Sequence, residues 1–186
     1  MGVQAPPVAS EKRSDWEAFL GFLAPSSGER ILDVGAGDCK IAGRVLEACK
    51  GAEVYAIDPN EKKIAAAKRG RPDVRSSVGV AESIPFPDSH FGKAYSTLAL
   101  HHFADLDRAL AEIGRVLRPG GSYIVLEVEP RSLSGRLFRF FGRLMGEKMQ
   151  IMTEDQFLAR VATGKVFTVE RSVRLGGRYL VHLTRS

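Results

Sequence analysis

Two acidic residues and two glycines have the types and spacing that could bind a nucleoside. Asp33 ends an apolar run and is followed by Gly35 and Gly37, and Asp58 ends the next such run. Glycines let the backbone bend tightly and let a ligand come close to it. A carboxylate about twenty residues beyond such a turn can accept hydrogen bonds from both hydroxyls of a ribose. The alternative for Asp58 is helix capping, because Pro59-Asn60 follows it.

The glycine turn lies between a predicted buried strand over residues 31–34 and a predicted helix over 38–49. The first N–H groups of that helix and its positive end point at whatever sits over the turn. A dinucleotide fingerprint fails, because Lys40 stands where the third glycine is required. An ammonium beside Asp33 and a carboxylate at the helix start fit better, and S-adenosylmethionine carries both groups. A purely structural turn is the alternative.

The composition limits the classes of protein to which this chain can belong. The 186 residues, 44% hydrophobic and 26% charged, fit one domain with a sizeable core. We find no apolar run long enough to span a membrane and no signal peptide at the start, so we expect a cytoplasmic protein. The two cysteines have neither disulfide nor metal spacing, and no metal is expected. A net charge of +5 allows acidic partners without identifying one.

Apolar runs alternate with helical stripes along the chain, which predicts a parallel sheet covered by helices on both faces. A capping box at Ser14 and Glu17 starts an N-terminal helix. Two alternating runs around Gly176-Gly177 predict an antiparallel hairpin. The strands are predicted at 31–34, 53–58, 74–78, 93–98, 123–128, 166–173 and 178–184, with a helix over 105–118 that Pro119-Gly120-Gly121 stops.

Five blocks of the chain together resemble the class I S-adenosylmethionine-dependent methyltransferases, and among them the quinone-biosynthesis and related small-molecule enzymes. The resemblance implies an α/β fold, a Rossmann-like doubly wound seven-stranded sheet with a C-terminal antiparallel hairpin. It implies a single domain over 1–186, with an N-terminal covering helix in 1–28 and a lid insert at 130–152. The blocks follow the family order: ILDVGAG at 31–37, YAIDPN at 55–60, AESIPFPD at 81–88, ALHHF at 99–103 and LRPGG at 117–121.

The same resemblance implies S-adenosylmethionine as the cofactor and gives each matching position a role. The methionine part would contact Asp33, Gly35, Ala36 and Gly37; the ribose Asp58; the adenine Pro59, Ala81 and Glu82; and the sulfonium Thr97 and Leu98.

Methyl transfer is an in-line displacement, in which the enzyme mainly aligns the acceptor with the methyl group. A base is needed only if the acceptor must lose a proton. The resemblance implies that His101 and His102 face the substrate cavity, and imidazole has a suitable pKa for such a base. The alternative is that these two residues are only polar groups that open a loop and a helix.

The chain departs from the family pattern at two site positions. Cys39 stands where the family often has a third glycine, and Val80 stands where it often has an aspartate before the alanine. Losing that aspartate removes one hydrogen bond to the adenine amino group, about 1 kcal/mol. Glu82 is expected to replace part of it.

The insert at 131–149 is expected to give the active site an apolar mouth, and its arginines could meet an anionic group or a membrane surface. The first hypothesis is therefore methyl transfer to a small acceptor, with apolar and quinone-like acceptors included. An RNA or protein methyltransferase is a second, since the charge is positive, although no separate RNA-binding module is found. A non-catalytic cofactor-binding relative is the third, and the oligomeric state stays open. The mouth residues are Phe138, Phe140, Phe141, Leu144, Met145 and Met149.

Overall fold

Strands and helices alternate through most of the chain, as the sequence predicts. The computed structural model describes residues 14–144 and 150–186, without the side chains at 138, 139 and 141–143. A 3₁₀ turn at Leu100–His102 follows the fourth strand. The elements are α1 (Asp15–Leu23), β1 (Arg30–Val34), α2 (Lys40–Ala48), β2 (Glu53–Asp58), α3 (Glu61–Gly70), β3 (Arg75–Val78), β4 (Phe91–Thr97), α4 (Leu106–Val116), β5 (Leu117–Val128), α5 (Leu133–Leu144), α6 (Glu154–Gly164), β6 (Phe167–Leu175) and β7 (Arg178–Arg185).

The seven strands form one sheet in the order β3-β2-β1-β4-β5-β7-β6. Strands β1 to β5 are parallel, and β7 pairs antiparallel with both β5 and β6. The predicted seven-stranded sheet with a C-terminal hairpin is therefore confirmed. The chain leaves β1 toward β2 on one side and later returns to β4 on the other. Such a reversal opens a crevice at the carboxyl ends of these strands, where open α/β sheets bind ligands.

The central strand β1 serves two apolar cores, one on each face of the sheet. Leu32 and Val34 belong to the core that includes α4 and α6. Ile31 belongs to the opposite core, which includes α1, α2 and α3. Asp33 alternates with Leu32 and Val34 along the strand, so its carboxyl group faces the same side as Ile31. A charged residue type thus enters a buried, apolar environment.

The start of β5 differs from the sequence prediction. The helix α4 ends at Val116, and β5 begins at Leu117 instead of Tyr123. Leu117 already pairs with Phe91, and the register then shifts before Ser122 pairs with Lys93. Pro119-Gly120-Gly121 therefore lies in an irregular part of the strand pairing, where a proline is tolerated, and the helix ends before it.

The ends of the chain agree with the prediction where the structure describes them. The capping box between Ser14 and Glu17 is present and starts α1, while residues 1–13 lie outside the described part. The segment after β5 forms α5. Of its expected mouth residues, Phe140 and Leu144 are exposed. The side chains of Phe138 and Phe141, and the whole of Met145 and Met149, lie outside the described residues.

Candidate functional site

The glycine turn after β1 is held against the end of β2. The N–H groups of Gly35 and Ala36 both donate to the carbonyl oxygen of Ile57, each at 2.9 Å. Gly35 has a φ of +82°, and a Cβ added there would lie 2.6 Å from the Cβ of Ala99. Glycine is therefore required at 35 by both the backbone conformation and the close approach of Ala99.

Asp58 connects this turn to the start of α3. Its Oδ2 accepts a hydrogen bond from the Gly37 N–H at 2.8 Å, and its Oδ1 accepts one from the Asn60 N–H at 2.9 Å. Asn60 in turn caps α3 by accepting from the Lys63 N–H. Asp58 therefore organises the local backbone. Since a carboxylate has about four acceptor positions, it keeps capacity for two ribose hydroxyls.

A cleft of about 580 Å³ opens at the carboxyl ends of β1, β2 and β4. Its size is typical of a small-molecule site, and it lies where the strand order reverses. Beyond the predicted residues, Asn60 and Lys63 at the start of α3 and Phe103 after the 3₁₀ turn also line it. The predicted residues on its wall are Gly35, Ala36, Gly37, Asp58, Pro59, Ala81, Glu82, Thr97, Leu98 and His102.

Asp33, also predicted to contact the cofactor, is fully buried and is not among the described residues that line the cleft. Among the described residues neither of its carboxyl oxygens has a hydrogen-bond partner, and the same holds for the Tyr95 hydroxyl. Tyr95 is the β4 partner of Asp33 in the sheet register. Burial raises the pKa of Asp33 to about 8; the nearby Tyr95 hydroxyl opposes this rise, and the charge of Asp58 adds to it. Asp33 is thus mostly protonated at pH 7 unless a cation approaches.

Cys39 occupies the position at which the family pattern often has a glycine. It has a φ of +59°, in the left-handed region that is costly for residues with a Cβ. It is the residue before α2 and makes no side-chain capping hydrogen bond. Burial raises the pKa of its thiol to about 12, with a further contribution from Asp33. The thiol is therefore an inert filler, and the turn keeps its shape without glycine at this position.

Glu82 has a different environment from the one expected. Its Oε1 accepts hydrogen bonds from the N–H groups of Ala104 at 2.7 Å and Asp105 at 3.1 Å. Its carbonyl oxygen accepts one from the Arg108 guanidinium. Glu82 thus joins the adenine-side loop to the start of α4. Oε1 is engaged there while Glu82 also lines the cleft, so the expected contact of Glu82 with the adenine stays a prediction.

The same loop is fixed further along by Arg115 of α4. Its guanidinium donates to the carbonyl oxygens of Ile84 and Phe86, each at 2.9 Å. It also forms ion pairs with Asp88 and Glu112, each at 2.7 Å. Three of these contacts, to Ile84, Phe86 and Asp88, join α4 to the loop, and Glu112, which also accepts from Arg115, accepts a further hydrogen bond from the Ile84 N–H at 2.9 Å. Together they hold a loop with two prolines in a single path.

The two adjacent histidines have separate environments. His102 is exposed and lines the cleft. His101 is 2% exposed and is not among the described residues that line the cleft; its Nδ1 lies 3.0 Å from Oε1 of buried Glu127. The two imidazole rings lie 4.1 Å apart between centroids. Of the pair predicted to face the cavity, His102 does so and His101 supports it from behind.

Glu127 and Tyr95 are the residues that sequence reasoning missed. Glu127 accepts hydrogen bonds from the N–H groups of Leu100 and Val128 as well as contacting His101, so it fixes the 3₁₀ turn. An acidic residue inside an otherwise apolar strand is the signal that could have identified it. Tyr95 gives no such signal, because its proximity to Asp33 depends on the pairing of β1 with β4.

Thr97 and Leu98 end β4 at the cleft wall. Leu98 has a φ of +52°, although it is not a glycine. Its N–H donates to the carbonyl oxygen of Leu126 at 2.8 Å, which holds it in this conformation. Strained backbone maintained by its surroundings is typical of functional sites. The strain lies where the resemblance places the sulfonium.

Two kinds of feature are absent from the part of the chain that the structure describes. Within 14–144 and 150–186 no group of three histidine, cysteine or acidic side chains is arranged to hold a metal ion. In that same part of the chain, every helix is too short or too polar to cross a membrane.

Comparison with known proteins gives a consistent family. Residues 32–125 match the family model described as "Methyltransferase domain". An uncharacterized methyltransferase of Mycobacterium tuberculosis is 35% identical over 102 residues, which are 55% of this chain and 41% of the relative. The ubiquinone/menaquinone biosynthesis C-methyltransferase of Paracoccus denitrificans is 35% identical over 116 residues, with 59% and 46% covered. This chain thus spans about half the length of such relatives, or less.

A solved structure shows the same fold. The SAM-dependent methyltransferase of Aquifex aeolicus superposes with a TM-score of 0.77 at 19% identity, covering 92% of this chain and 90% of that one.

Proposed function

The chain belongs to the methyltransferase domain family, whose members use S-adenosylmethionine, and we propose that it transfers a methyl group from this cofactor to a small-molecule acceptor. The observation that carries the proposal is the buried Asp33 carboxyl group, which has no hydrogen-bond partner among the described residues. A buried polar group of this kind is costly unless something satisfies it. The ammonium group of the cofactor has the charge to do so.

The chain's own residues fit the rest of the cofactor. The backbone at Gly35 and Gly37, with the start of α2, would hold the methionine carboxylate through N–H groups. Asp58 would accept from the ribose hydroxyls with the lone pairs that its two backbone contacts leave. The apolar surfaces of Pro59 and Ala81 lie on the cleft wall at the adenine side. Bound there, S-adenosylmethionine supplies a methyl group on a sulfonium already activated for displacement.

The residues around the acceptor have three tasks. Thr97 and Leu98 limit how the acceptor can approach, because they form the wall at the end of β4. Phe103 gives this wall apolar surface beside His102. Where the acceptor must lose a proton, His102 is the group on the cleft wall that would accept it.

A small acceptor is favoured by the size of the cleft and by the named relatives. The cleft of about 580 Å³ has room for a cofactor and a compact second molecule. The Paracoccus relative is named a ubiquinone/menaquinone biosynthesis C-methyltransferase. The quinone-like class is therefore the first to test.

Calorimetry with S-adenosylmethionine tests the cofactor assignment. Asp58→Ala removes a charged acceptor, so we expect binding to weaken by about 1.5–3 kcal/mol. Asp73→Ala is the charge-matched control, since Asp73 is exposed in the loop before β3, and it should bind as the wild type does. Equal affinities for the two variants would contradict the ribose assignment.

Turnover is then measured as release of S-adenosylhomocysteine with quinols, small phenols, peptides and RNA. We expect turnover with a member of the first two classes. Turnover on RNA that falls steeply with salt would favour the nucleic-acid alternative instead. Cofactor binding without turnover on the whole panel would contradict the proposed activity.

A further inference from the structure

The helix α5 carries a stripe of exposed apolar side chains. Leu133 is 74% exposed, Leu137 51%, Phe140 63% and Leu144 73%; every other large apolar side chain in the described part of the chain is at most 47% exposed. Their spacing of four, three and four residues places all four on one face of the helix. A continuous stripe of exposed apolar side chains is characteristic of a surface that binds something.

The charges around this stripe have one sign. Arginines occupy 136, 139 and 143 of α5, and no aspartate or glutamate occurs between Leu133 and Leu144. By helical spacing, position 136 lies on the same side of the stripe as positions 139 and 143. The stripe therefore has a positive flank, which complements a negatively charged partner.

The position of α5 links this surface to the cleft. It follows the carboxyl end of β5, at the same edge of the sheet as the cleft. Beyond the segment at 145–149, the chain returns to the 3₁₀ turn, where the Gln150 N–H donates to the carbonyl oxygen of His101 at 3.0 Å. The next residue, His102, lines the cleft. A surface that α5 contacts is thus next to the cleft wall.

We propose that α5 is an interfacial helix that binds this protein to anionic lipid membranes, with Leu133, Leu137, Phe140 and Leu144 in the lipid and Arg136 at the headgroups. A leucine- and phenylalanine-containing face beside basic residues is the composition of helices that lie in the plane of a membrane surface. Arginine suits this position because its stem packs on apolar groups while its charge meets phosphate. An anionic lipid surface offers acyl chains to the apolar stripe and phosphate groups to the basic flank. The proposal does not depend on methyl transfer.

Vesicle co-sedimentation of the full chain tests the proposal. We expect the wild type to bind vesicles of phosphatidylglycerol and phosphatidylcholine, and to bind phosphatidylcholine alone at least about tenfold more weakly. The double variant Leu133→Ser/Leu144→Ser should lose at least about tenfold in binding to the anionic vesicles, because two side chains no longer enter the lipid. Arg136→Gln should lose about fivefold, and high salt should lower the binding of all of these proteins.

The matched control is Val169→Ser/Val173→Ser, which removes two exposed apolar side chains from β6, away from α5. It should bind vesicles as the wild type does. Circular dichroism and calorimetry with S-adenosylmethionine verify that each variant is folded. Equal binding to neutral and anionic vesicles, or a folded α5 double variant that still binds fully, would overturn the proposal. So would a wild-type dimer, detected by sedimentation equilibrium, that the α5 substitutions abolish while vesicles are not bound.

Discussion

Asp33 allows a prediction in which stability and binding change in opposite directions. In Asp33→Asn the shape of the side chain is kept, but the ionisable carboxyl group is lost. The folded protein holds a proton on Asp33 up to a pKa of about 8, against an ordinary value of 3.8. The unfolded chain has released this proton above about pH 4. Below about pH 4 both states hold the proton, and the folded state has its full stability. As pH rises from about 4 to about 8, unfolding releases this proton, and the unfolding free energy falls.

The size of the effect follows from the pKa difference. At 1.36 kcal/mol per unit, the wild type loses about 4 kcal/mol of unfolding free energy between pH 4 and pH 7 through this group, and somewhat more by pH 8. The asparagine does not titrate, although its buried amide still lacks hydration. We therefore expect Asp33→Asn to be more stable than the wild type by about 2–4 kcal/mol at pH 8.5. This difference should be about 4 kcal/mol smaller at pH 5, where the variant is no more stable than the wild type.

Urea unfolding at several pH values between 5 and 8.5 measures this difference. Burial lowers the pKa of His90 and His182, so both proteins also change in stability through these groups. Subtracting the unfolding free energy of the wild type from that of the variant removes the contribution of these histidines, which both proteins share. Asp73→Asn, at an exposed position, is the control and should follow the wild type. A constant difference across this pH range would refute the reasoning.

The same substitution should weaken binding of S-adenosylmethionine at least about tenfold, because an amide cannot supply the negative charge that the ammonium group requires. Calorimetry at pH 7 measures it, with Asp73→Asn again as the control. A variant that is stabilised but binds normally would remove Asp33 from the cofactor site.

Four further substitutions, the first two compared with each other, test separate parts of the site. Gly35→Ala should lower the unfolding free energy by about 2–4 kcal/mol, through the contact with Ala99 and the positive φ, whereas Gly37→Ala, with space around it, should cost only about 1; equal losses in urea unfolding would contradict this. Glu127→Gln should cost about 1–3 kcal/mol, since the amide donor faces groups that themselves donate, and unchanged stability would argue against the role of this carboxylate. Val80→Asp, at an exposed position on the cleft wall, should tighten cofactor binding about fivefold by accepting from the adenine amino group; calorimetry showing no gain would place the adenine elsewhere.

Much of the fold follows from local sequence signals. The glycine turn, the strand that precedes it and the Gly176-Gly177 hairpin each depend on a few neighbouring residues, and the structure confirms them. The family and its cofactor, expected from five blocks in order, are also confirmed. The start of β5 could not be predicted this way: α4 does end before Pro119-Gly120-Gly121, but the pairing of Leu117 with Phe91 starts the strand before these residues as well.

The site is harder to predict, because its contacts join distant segments. Asp33 was expected to bind the ligand, but its deep burial beside Tyr95 follows from the register of β1 and β4. Glu82 was expected on the adenine side and does line the cleft, but its two hydrogen bonds to the start of α4 join segments about twenty residues apart and give no local signal. His101 and His102 differ because one of them meets Glu127 from another strand. The roles of these residues in binding and catalysis stay predictions.

The contacts of Arg115 have a consequence for how this protein can change over time. Because one side chain on α4 holds the loop between Ile84 and Asp88 in place, the neighbouring cleft wall at 79–82 is organised before any ligand arrives. Ligand binding then does not have to supply the entropy of ordering that loop. Arg115 does not line the cleft, but a substitution there would lower the affinity for the ligand of the cleft. Natural selection could therefore change this affinity through a residue outside the site.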